Sequence, residues 1–523
     1  MRECPLFAED VSMQAFLQQH KDRIAGTLEG FDRLLFRGTL PSVNNLQCLV
    51  SFLQHYRIRY MHFGSWVEHM SERIVAHARQ VAAKLGRPIE YLASPKISKD
   101  EYARKIQQRD GITQGLVCVL VCVETCSSYA IQGNRAKQSI HPVPAQRKCR
   151  QLYFYYIDPE FGWMFVRLQT WLPFPIQVYV NGREYLARQL DKAGINYLRK
   201  ENGFTQIDNL PRAQALLDQL TTYPWQQFLQ NIARQVQPWL DETYGFDQHG
   251  YYWTAYQSEY ATDLLFRSVA DLKALYPKLV TYALEQFQAP DVLRFLGRKK
   301  PGYFVDEVAS DVCRRSEGIR VKHRAGSNTV KMYDKHGSIL RIETTINNPP
   351  LFRVRRCIEK KGQLVWCCLP LRKGVADMRQ RVAVSQAVNA RYLNALAVVH
   401  QPRPVAKTLD PVCHSIKQAG RPYRGLRPWT PDEAALFQAV LSGEHALRGF
   451  SNQDIPIAGR HQHNTPEERK RLSAKVSRLL RLLRAHGMIR KVPCTRRYHV
   501  TSRGHQVMST TLQVRAMDVT VAA

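Results

Sequence analysis

The stretch that decides the fold is Gly326-Ser-Asn-Thr-Val-Lys-Met-Tyr-Asp-Lys-His-Gly-Ser-Ile-Leu-Arg-Ile-Glu-Thr-Thr-Ile-Asn-Asn348. Apolar and polar residues alternate before and after the turn-forming residues 334–338, and this pattern predicts a β-hairpin. Odd-numbered side chains of each strand lie on one face of such a hairpin. The residues expected together on that face are Tyr333, Lys335, Arg341 and Glu343. A phenol, two cations and a carboxylate on one face indicate either a solvated sheet surface or an active centre.

The chain carries a large excess of basic residues. Its 523 residues include 75 Lys and Arg against 44 Asp and Glu, and the formal net charge is +31. With 44% hydrophobic and 23% charged residues, the composition is that of a globular protein and not of a disordered one. A net charge of this size predicts a polyanionic partner, and nucleic acid is the commonest one. The alternative is a soluble protein that is merely basic.

Neither a membrane span nor a secretory signal is expected. No apolar run reaches the length of a bilayer span, and the first residues lack the apolar core of a signal peptide. The 12 cysteines are scattered without the spacing of a disulfide framework, which is typical of reduced thiols. The sequence therefore predicts a cytoplasmic protein with no membrane partner. No pattern in it defines an oligomeric state.

The order of helical and strand patterns predicts a multidomain α+β protein. Residues 1–222 alternate helical and strand signals, as in a mixed α/β domain. Residues 223–399 predict a basic α+β domain with an antiparallel sheet, which contains the hairpin quoted above. Residues 400–430 contain 5 prolines and several cations and predict a basic linker. Residues 431–523 predict a helical domain that binds nucleic acid.

The C-terminal domain combines a long basic helix with a short hairpin. Helical periodicity begins at Pro466 and ends at Gly487, where a glycine is favoured just beyond the helix. Two short strands then flank a basic turn at residues 495–497. This part of the chain resembles the winged-helix domains of MarR-type regulators, which carry residues similar to Leu483–Ile489 and Arg497–Gly504.

The winged-helix resemblance implies that the long helix enters the major groove of DNA and that the hairpin contacts the adjacent backbone. The side chains expected to contact nucleic acid there are Arg471, Lys475, Arg478, Arg481, Arg490, Lys491, Arg496 and Arg497. Basic residues around the middle-domain hairpin predict a second phosphate-binding surface. Its members are Lys322, Arg324, Arg355 and Arg356. A winged helix that mediates protein contacts is the alternative.

The hairpin stretch also resembles the catalytic segment of rolling-circle replication initiators of plasmids and filamentous phages. Those proteins carry a nucleophilic tyrosine with a lysine a few residues on, and the corresponding residues here are Tyr333 and Lys335. The resemblance implies nicking of a single strand, in which the tyrosine oxygen attacks a backbone phosphorus and Mg²⁺ or Mn²⁺ polarises the phosphate. It makes Tyr333 the nucleophile and Glu343, together with Asp263, a metal ligand. Lys335 and Arg341 then stabilise the developing charge.

Other functions fit the same residues. Glu343 can form an ordinary cross-strand ion pair with Arg341 or Lys335. Glu259 and Asp32 are further candidate metal ligands, although Asp32 can equally pair with the neighbouring Arg33. A non-catalytic binder of DNA or structured RNA, or a winged-helix transcriptional regulator, is therefore the alternative to a nickase of a plasmid or mobile element. DNA is the favoured partner in each case.

Overall fold

The fold is taken from a computed structural model, which describes residues 13–134, 139–237, 250–297, 308–315, 318–360, 362–397, 399, 405–418, 420–442, 445, 449–455, 465–492 and 495–516. It contains helices, one large mixed sheet and several two-stranded sheets, as the sequence predicts for a multidomain α+β protein. Within the predicted linker, residues 400–404 and 419 lie outside the described residues.

The strands, in chain order, are β1 (Ile24–Thr39), β2 (Ile89–Leu92), β3 (Gly115–Asn134), β4 (Ser139–Asp158), β5 (Gly162–Gln169), β6 (Ile176–Asn181), β7 (Tyr197–Lys200), β8 (Gly203–Ile207), β9 (Tyr252–Phe266), β10 (Val308–Arg315), β11 (Gly318–Ala325), β12 (Asn328–Lys335), β13 (Ile339–Ile346), β14 (Arg353–Lys360), β15 (Gln363–Pro370), β16 (Ile416–Gln418), β17 (Arg421–Tyr423), β18 (Ile489–Lys491) and β19 (Tyr498–Val500). One sheet of 11 strands forms the body, in the order β10-β11-β12-β13-β9-β1-β6-β5-β4-β3-β2. Its pairs are antiparallel except for β2 with β3.

The α-helices are α1 (Gln14–Gln19), α2 (Leu46–His55), α3 (Phe63–Lys84), α4 (Lys99–Arg109), α5 (Gly182–Lys192), α6 (Leu210–Asp218), α7 (Trp225–Val236), α8 (Val269–Glu285), α9 (Ala289–Phe295), α10 (Met378–Leu396), α11 (Val405–Cys413), α12 (Pro431–Val440), α13 (Pro466–Ala485) and α14 (Ser502–Arg515). No helix among the described residues combines the length and the apolar character that crossing a bilayer requires.

The large sheet joins the two regions that the sequence assigns to separate domains. Strand β1 belongs to the predicted first domain and β9 to the predicted second, yet the two pair with each other from Ile24 to Thr39. A boundary at residue 222 therefore does not separate two sheets. The physical reason is that each strand has two hydrogen-bonding edges, so that β1 pairs with both β6 and β9, and β9 with both β1 and β13.

The predicted hairpin is confirmed as β12 and β13. Tyr333 pairs with Arg341 and Lys331 with Glu343, and the turn uses His336 and Gly337 with φ of 55° and 75°. The even-numbered apolar side chains of both strands belong to a buried cluster shared with helices α8, α9 and α10. All 8 residues of β13 are buried. The hairpin's polar face is therefore not a solvated sheet surface.

The C-terminal part has a hydrophobic core of its own. Helices α11 to α14 and the hairpin β18–β19 contribute to it, with Phe437, Leu480, Leu483 and Met488 among its most buried members. Within the predicted linker, α11 and the hairpin β16–β17 are ordered elements, and Leu409 lies in this core. The long helix α13 is followed by the short hairpin β18–β19 and then by helix α14.

Candidate active centre

Three carboxylates from three adjacent strands converge on the polar face of the large sheet. Asp32 lies on β1, Glu259 on β9 and Glu343 on β13. Each offers one ligand atom, and these atoms all lie within 4.8 Å of one another. We refer to these residues as the carboxylate cluster. Like charges brought this close in a buried place repel one another, so a cation or a proton has to compensate them.

A β-bulge brings Asp32 into the cluster. Phe31 pairs with Tyr260 and Arg33 with Glu259, so Asp32 is the additional residue on its strand. A bulge redirects the side chain of the extra residue. Asp32 and its neighbour Arg33 therefore both lie near Glu259. The Arg33 Nε is 3.8 Å from the Glu259 Oε2. The sequence predicted Asp32 only as one of several possible carboxylates.

Lys331 bridges two of the carboxylates. Its Nζ donates to Glu259 Oε1 at 2.9 Å and to Glu343 Oε1 at 2.6 Å. Burial alone lowers the pKa of Lys331, but Glu343 and Glu259 outweigh it and the net shift is upward. Burial, and then the charge of Glu259, raise the pKa of Glu343 in spite of the lysine. The Lys331 ammonium thus compensates Glu259 and Glu343, while Asp32 is paired with Arg341.

Asp32 has an oxygen without a partner. Its Oδ2 accepts from Asn202 Nδ2 at 2.7 Å and from Arg341 Nη1 at 3.2 Å. Its Oδ1 is buried and has no hydrogen-bond donor in the part of the chain that the structure describes. A bare buried carboxylate oxygen is costly. The donor set consists of carboxylate oxygens alone, which suits a hard divalent cation such as Mg²⁺ or Mn²⁺.

The sequence predicts Asp263 as a metal ligand together with Glu343, but the structure places Asp263 between guanidinium groups. Arg341 binds it through Nε at 2.5 Å and through Nη2 at 2.8 Å. The Nη2 of the fully buried Arg183 lies 3.1 Å from its Oδ2. Although burial raises the pKa of Asp263, Arg341 and Arg183 reverse this and hold it below its usual value. Both oxygens are engaged by guanidinium groups, so Asp263 belongs to an ion-pair network beside the cluster.

Arg341 and Lys335 are both engaged in contacts beside the cluster. Arg341 is 1% exposed and also donates through Nη2 to the carbonyl oxygen of Asn202 at 2.8 Å. Lys335 is buried and donates to the side chain of the same Asn202. Asn202 lies in the turn between β7 and β8, so both predicted catalytic cations hold this turn against the sheet. Neither faces solvent as a cation that binds a phosphate does.

Tyr333 lies beside the cluster on the same sheet face. It is partly exposed, and its direct neighbours across the adjacent strands are Arg320 and Arg341. Burial, and then the charge of Glu343, raise the pKa of Tyr333, while Lys331 opposes them. No hydrogen bond of the Tyr333 hydroxyl occurs within the described ranges. The half-buried phenol therefore lies next to carboxylates without a hydrogen bond to any described residue.

The cations predicted to contact nucleic acid are distributed over two surfaces. In the C-terminal domain they are exposed on α13 and on the hairpin after it, and they comprise Arg471, Lys475, Arg478, Arg481, Arg490, Lys491, Arg496 and Arg497. Near the large sheet, Lys322 is half-buried and Arg324 is exposed. Arg355 is exposed and lies 5.9 Å from the Trp366 ring centroid, whereas Arg356 pairs with Asp377. Arg356 is thus engaged in a structural ion pair.

No protein-family model matches the chain, and neither a curated protein nor a solved structure matches it significantly.

Proposed function

We propose that the protein binds nucleic acid and cleaves a phosphodiester bond with Tyr333 and a divalent cation, as a nickase of the replication-initiator kind. The observation that carries the proposal is the carboxylate cluster, in which the buried Asp32 Oδ1 has no donor among the described residues, beside the half-buried Tyr333. A net charge of +31 favours a polyanionic substrate. DNA is the partner that the basic C-terminal helix and hairpin suit best.

Asp32, Glu259 and Glu343 are the residues that would hold the cation. Bound there, Mg²⁺ or Mn²⁺ supplies Lewis-acid polarisation of the scissile phosphate. Lys331 neutralises Glu259 and Glu343 in the arrangement observed, and its flexible ammonium can turn toward a phosphate oxygen once another positive charge is present. The lysine therefore takes the charge-stabilising role that the sequence assigned to Lys335 and Arg341.

Cleavage forms one bond at phosphorus and breaks another. The Tyr333 oxygen forms a bond to phosphorus and its proton passes to solvent. The bond from phosphorus to the 3′ oxygen breaks, and that oxygen takes a proton from solvent. The products are a phosphotyrosine ester at the 5′ end and a free 3′ hydroxyl group.

The cluster variant Asp32→Asn with Glu259→Gln is expected to lose cleavage. Labelled single-stranded and duplex oligonucleotides are incubated with the full chain and Mn²⁺, and the products are separated on a denaturing gel. We expect a loss of at least ~100-fold, because changes in the outer shell of metal sites alone cost ~10–100-fold. The matched control is Glu68→Gln with Glu101→Gln, which removes two charges from exposed positions. Equal cleavage by both double variants would exclude the cluster as the metal site.

A non-catalytic binder is the second candidate, and Lys331 is the observation that favours it. Its two hydrogen bonds to Glu259 and Glu343 are those of an ordinary buried ion-pair network. In that case wild-type protein binds DNA in the presence of Mn²⁺ without forming any cleavage product.

The exposed cations of the C-terminal domain carry a prediction that holds for either candidate. Arg478→Ala with Arg496→Ala is expected to weaken DNA binding and to reduce the slope of log K against log salt by ~1–2, since each phosphate contact contributes ~0.9. Binding is measured by fluorescence anisotropy between 50 and 300 mM salt, about the range over which such contacts weaken. The control Lys84→Ala with Lys105→Ala changes the net charge equally at exposed positions outside this domain. Equal slopes for both variants would point to protein contacts.

A further inference from the structure

Two aromatic rings lie next to the carboxylate cluster on the polar face of the sheet. Phe165 on β5 and Tyr179 on β6 pair directly across their strands, and their rings stack with centroids 5.2 Å apart and planes 7° from parallel. Both side chains remain partly exposed. Tyr155, the next ring in this row, is buried in the cluster that includes residues of α4. The exposed end of the row therefore faces the carboxylates.

Cations surround the pair of rings. The Arg33 side chain is 56% exposed, its Nε lies 3.8 Å from the Glu259 Oε2, and it is two residues from Leu35, which pairs with Tyr179. The Arg167 side chain is 28% exposed and pairs with Glu124. Arg37 is partly exposed and lies 5.7 Å from the centroid of the exposed Tyr256 ring. Alternating rings and guanidinium groups on an open sheet face suit bases and phosphates in turn.

We propose that this face binds an unpaired segment of the nucleic acid whose phosphodiester lies at the carboxylate cluster, with a base stacked on Tyr179 and Phe165 and a phosphate on Arg33. The inference rests on the proposed function, and it names the substrate as single-stranded. Bases of a duplex are covered on both faces by their neighbours, so only an unpaired base can lie on a protein ring. Three strand spacings, about 14 Å, separate β9 with Glu259 from β5 with Phe165.

The affinity test uses Phe165→Leu with Tyr179→Leu, because leucine keeps apolar volume and removes the stacking surface. Binding of a labelled 20-nucleotide single strand and of the matching duplex is measured by anisotropy in EDTA, where cleavage cannot occur. We expect a loss of ~5- to 100-fold for the single strand, the range that base stacking on aromatic rings supports. The duplex affinity changes less than about 2-fold. Equal affinity of wild type and variant for the single strand overturns the inference.

A second measurement is independent of whether the leucine variant folds. Wild-type protein is crosslinked to a single strand that contains 5-bromodeoxyuridine, and the adduct is mapped by mass spectrometry. Crosslinks at Tyr179 or Phe165 support the inference, and crosslinks confined to other residues overturn it. Arg33→Gln is expected to reduce the salt slope for the single strand by ~0.7, the value of one phosphate contact.

These outcomes separate the inference from the proposed function. If wild type cleaves with Mn²⁺ but the leucine variant binds the single strand as tightly as wild type does, base stacking on the two rings is wrong and the proposed active centre stands. If crosslinks map to Tyr179 while wild type never cleaves, base stacking on the rings stands and the proposed active centre is wrong.

Discussion

Tyr333→Phe is expected to abolish a covalent adduct between the protein and a nicked strand. The substitution removes only the hydroxyl that would attack phosphorus, and this hydroxyl has no hydrogen-bond partner within the described ranges. Adduct formation should fall by at least ~10³-fold, since removal of a nucleophile ordinarily removes most of the catalytic effect. Stability should change by less than ~0.5 kcal/mol, as for substitutions away from structural networks. DNA binding is therefore retained while chemistry is lost.

The adduct is captured with an oligonucleotide labelled on the 3′ side of the transferred phosphate, in Mn²⁺, followed by a denaturing protein gel. The matched control is Tyr91→Phe, which removes a hydroxyl from a ring that is 64% exposed. An adduct of normal yield in Tyr333→Phe would show that another residue is the nucleophile.

The pH dependence of the same reaction follows from the raised pKa of Tyr333, which burial and then Glu343 cause. The neutral phenol is the form favoured in the folded protein, so at fixed Mn²⁺ the adduct yield should rise with pH from 6 to 9 without a plateau at neutral pH. The raised pKa of Tyr333 also makes the stability of the folded protein depend on pH, through the stabilising contribution of the neutral phenol. It is fully present below the unfolded tyrosine pKa of about 10 and is lost as pH rises through the folded value.

Arg341→Met is expected to cost ~3–5 kcal/mol of unfolding free energy, the usual effect of breaking a buried ion pair on one side. Arg341 binds Asp263 at 2.5 and 2.8 Å and Asp32 at 3.2 Å, and all three side chains are at most 2% exposed. Without it, Arg183 is left with Asp263, and Asp32 keeps its hydrogen bond from Asn202. Arg341→Lys should recover part of the loss, because a lysine keeps the charge but not the two parallel hydrogen bonds.

Urea denaturation of the full chain measures this loss. The control Arg104→Met removes an ion pair with Asp100 whose side chains are both 51% exposed, and it should cost less than ~1 kcal/mol. Because Asp263 has a lowered pKa, its contribution is complete above the unfolded carboxyl pKa of about 3.9 and is lost as pH falls through the folded value. Wild type should therefore lose more stability in acid than Arg341→Met. A cost for Arg341→Met as small as the control would contradict a structural role.

The sequence predicts the strands and turns that neighbouring residues define. The alternation around residues 334–338 identifies β12 and β13 because each strand's pattern and the turn residues are adjacent in the chain. Alternation does not show that β13 is covered on both faces, so Arg341 resembled an exposed catalytic cation and is a buried ion-pair partner. Lys331 was detectable, since it shares the face of Tyr333 two residues away.

The rest of the site depends on contacts between distant parts of the chain. Asn202 approaches Asp32 and Arg341 from a turn more than 130 residues from Arg341, and no local pattern marks it. Asp32 enters the cluster through a bulge that only the pairing of β1 with β9 creates. That pairing also crosses the predicted boundary at residue 222. Periodicity cannot reveal it, because it defines strands and not their partners.

Asp32, Glu259 and Glu343 are proposed to hold one divalent cation together, and a titration of the protein with Mn²⁺ shows whether they do. Free Mn²⁺ is followed by electron paramagnetic resonance while the ion is added to the full chain without nucleic acid. One site per chain is expected in wild type and in the control Asp208→Asn, which changes an exposed carboxylate. The site should be absent or at least ~10-fold weaker in Asp32→Asn, as for other losses at metal sites. No site in wild type, or the same site in folded Asp32→Asn, would contradict the claim.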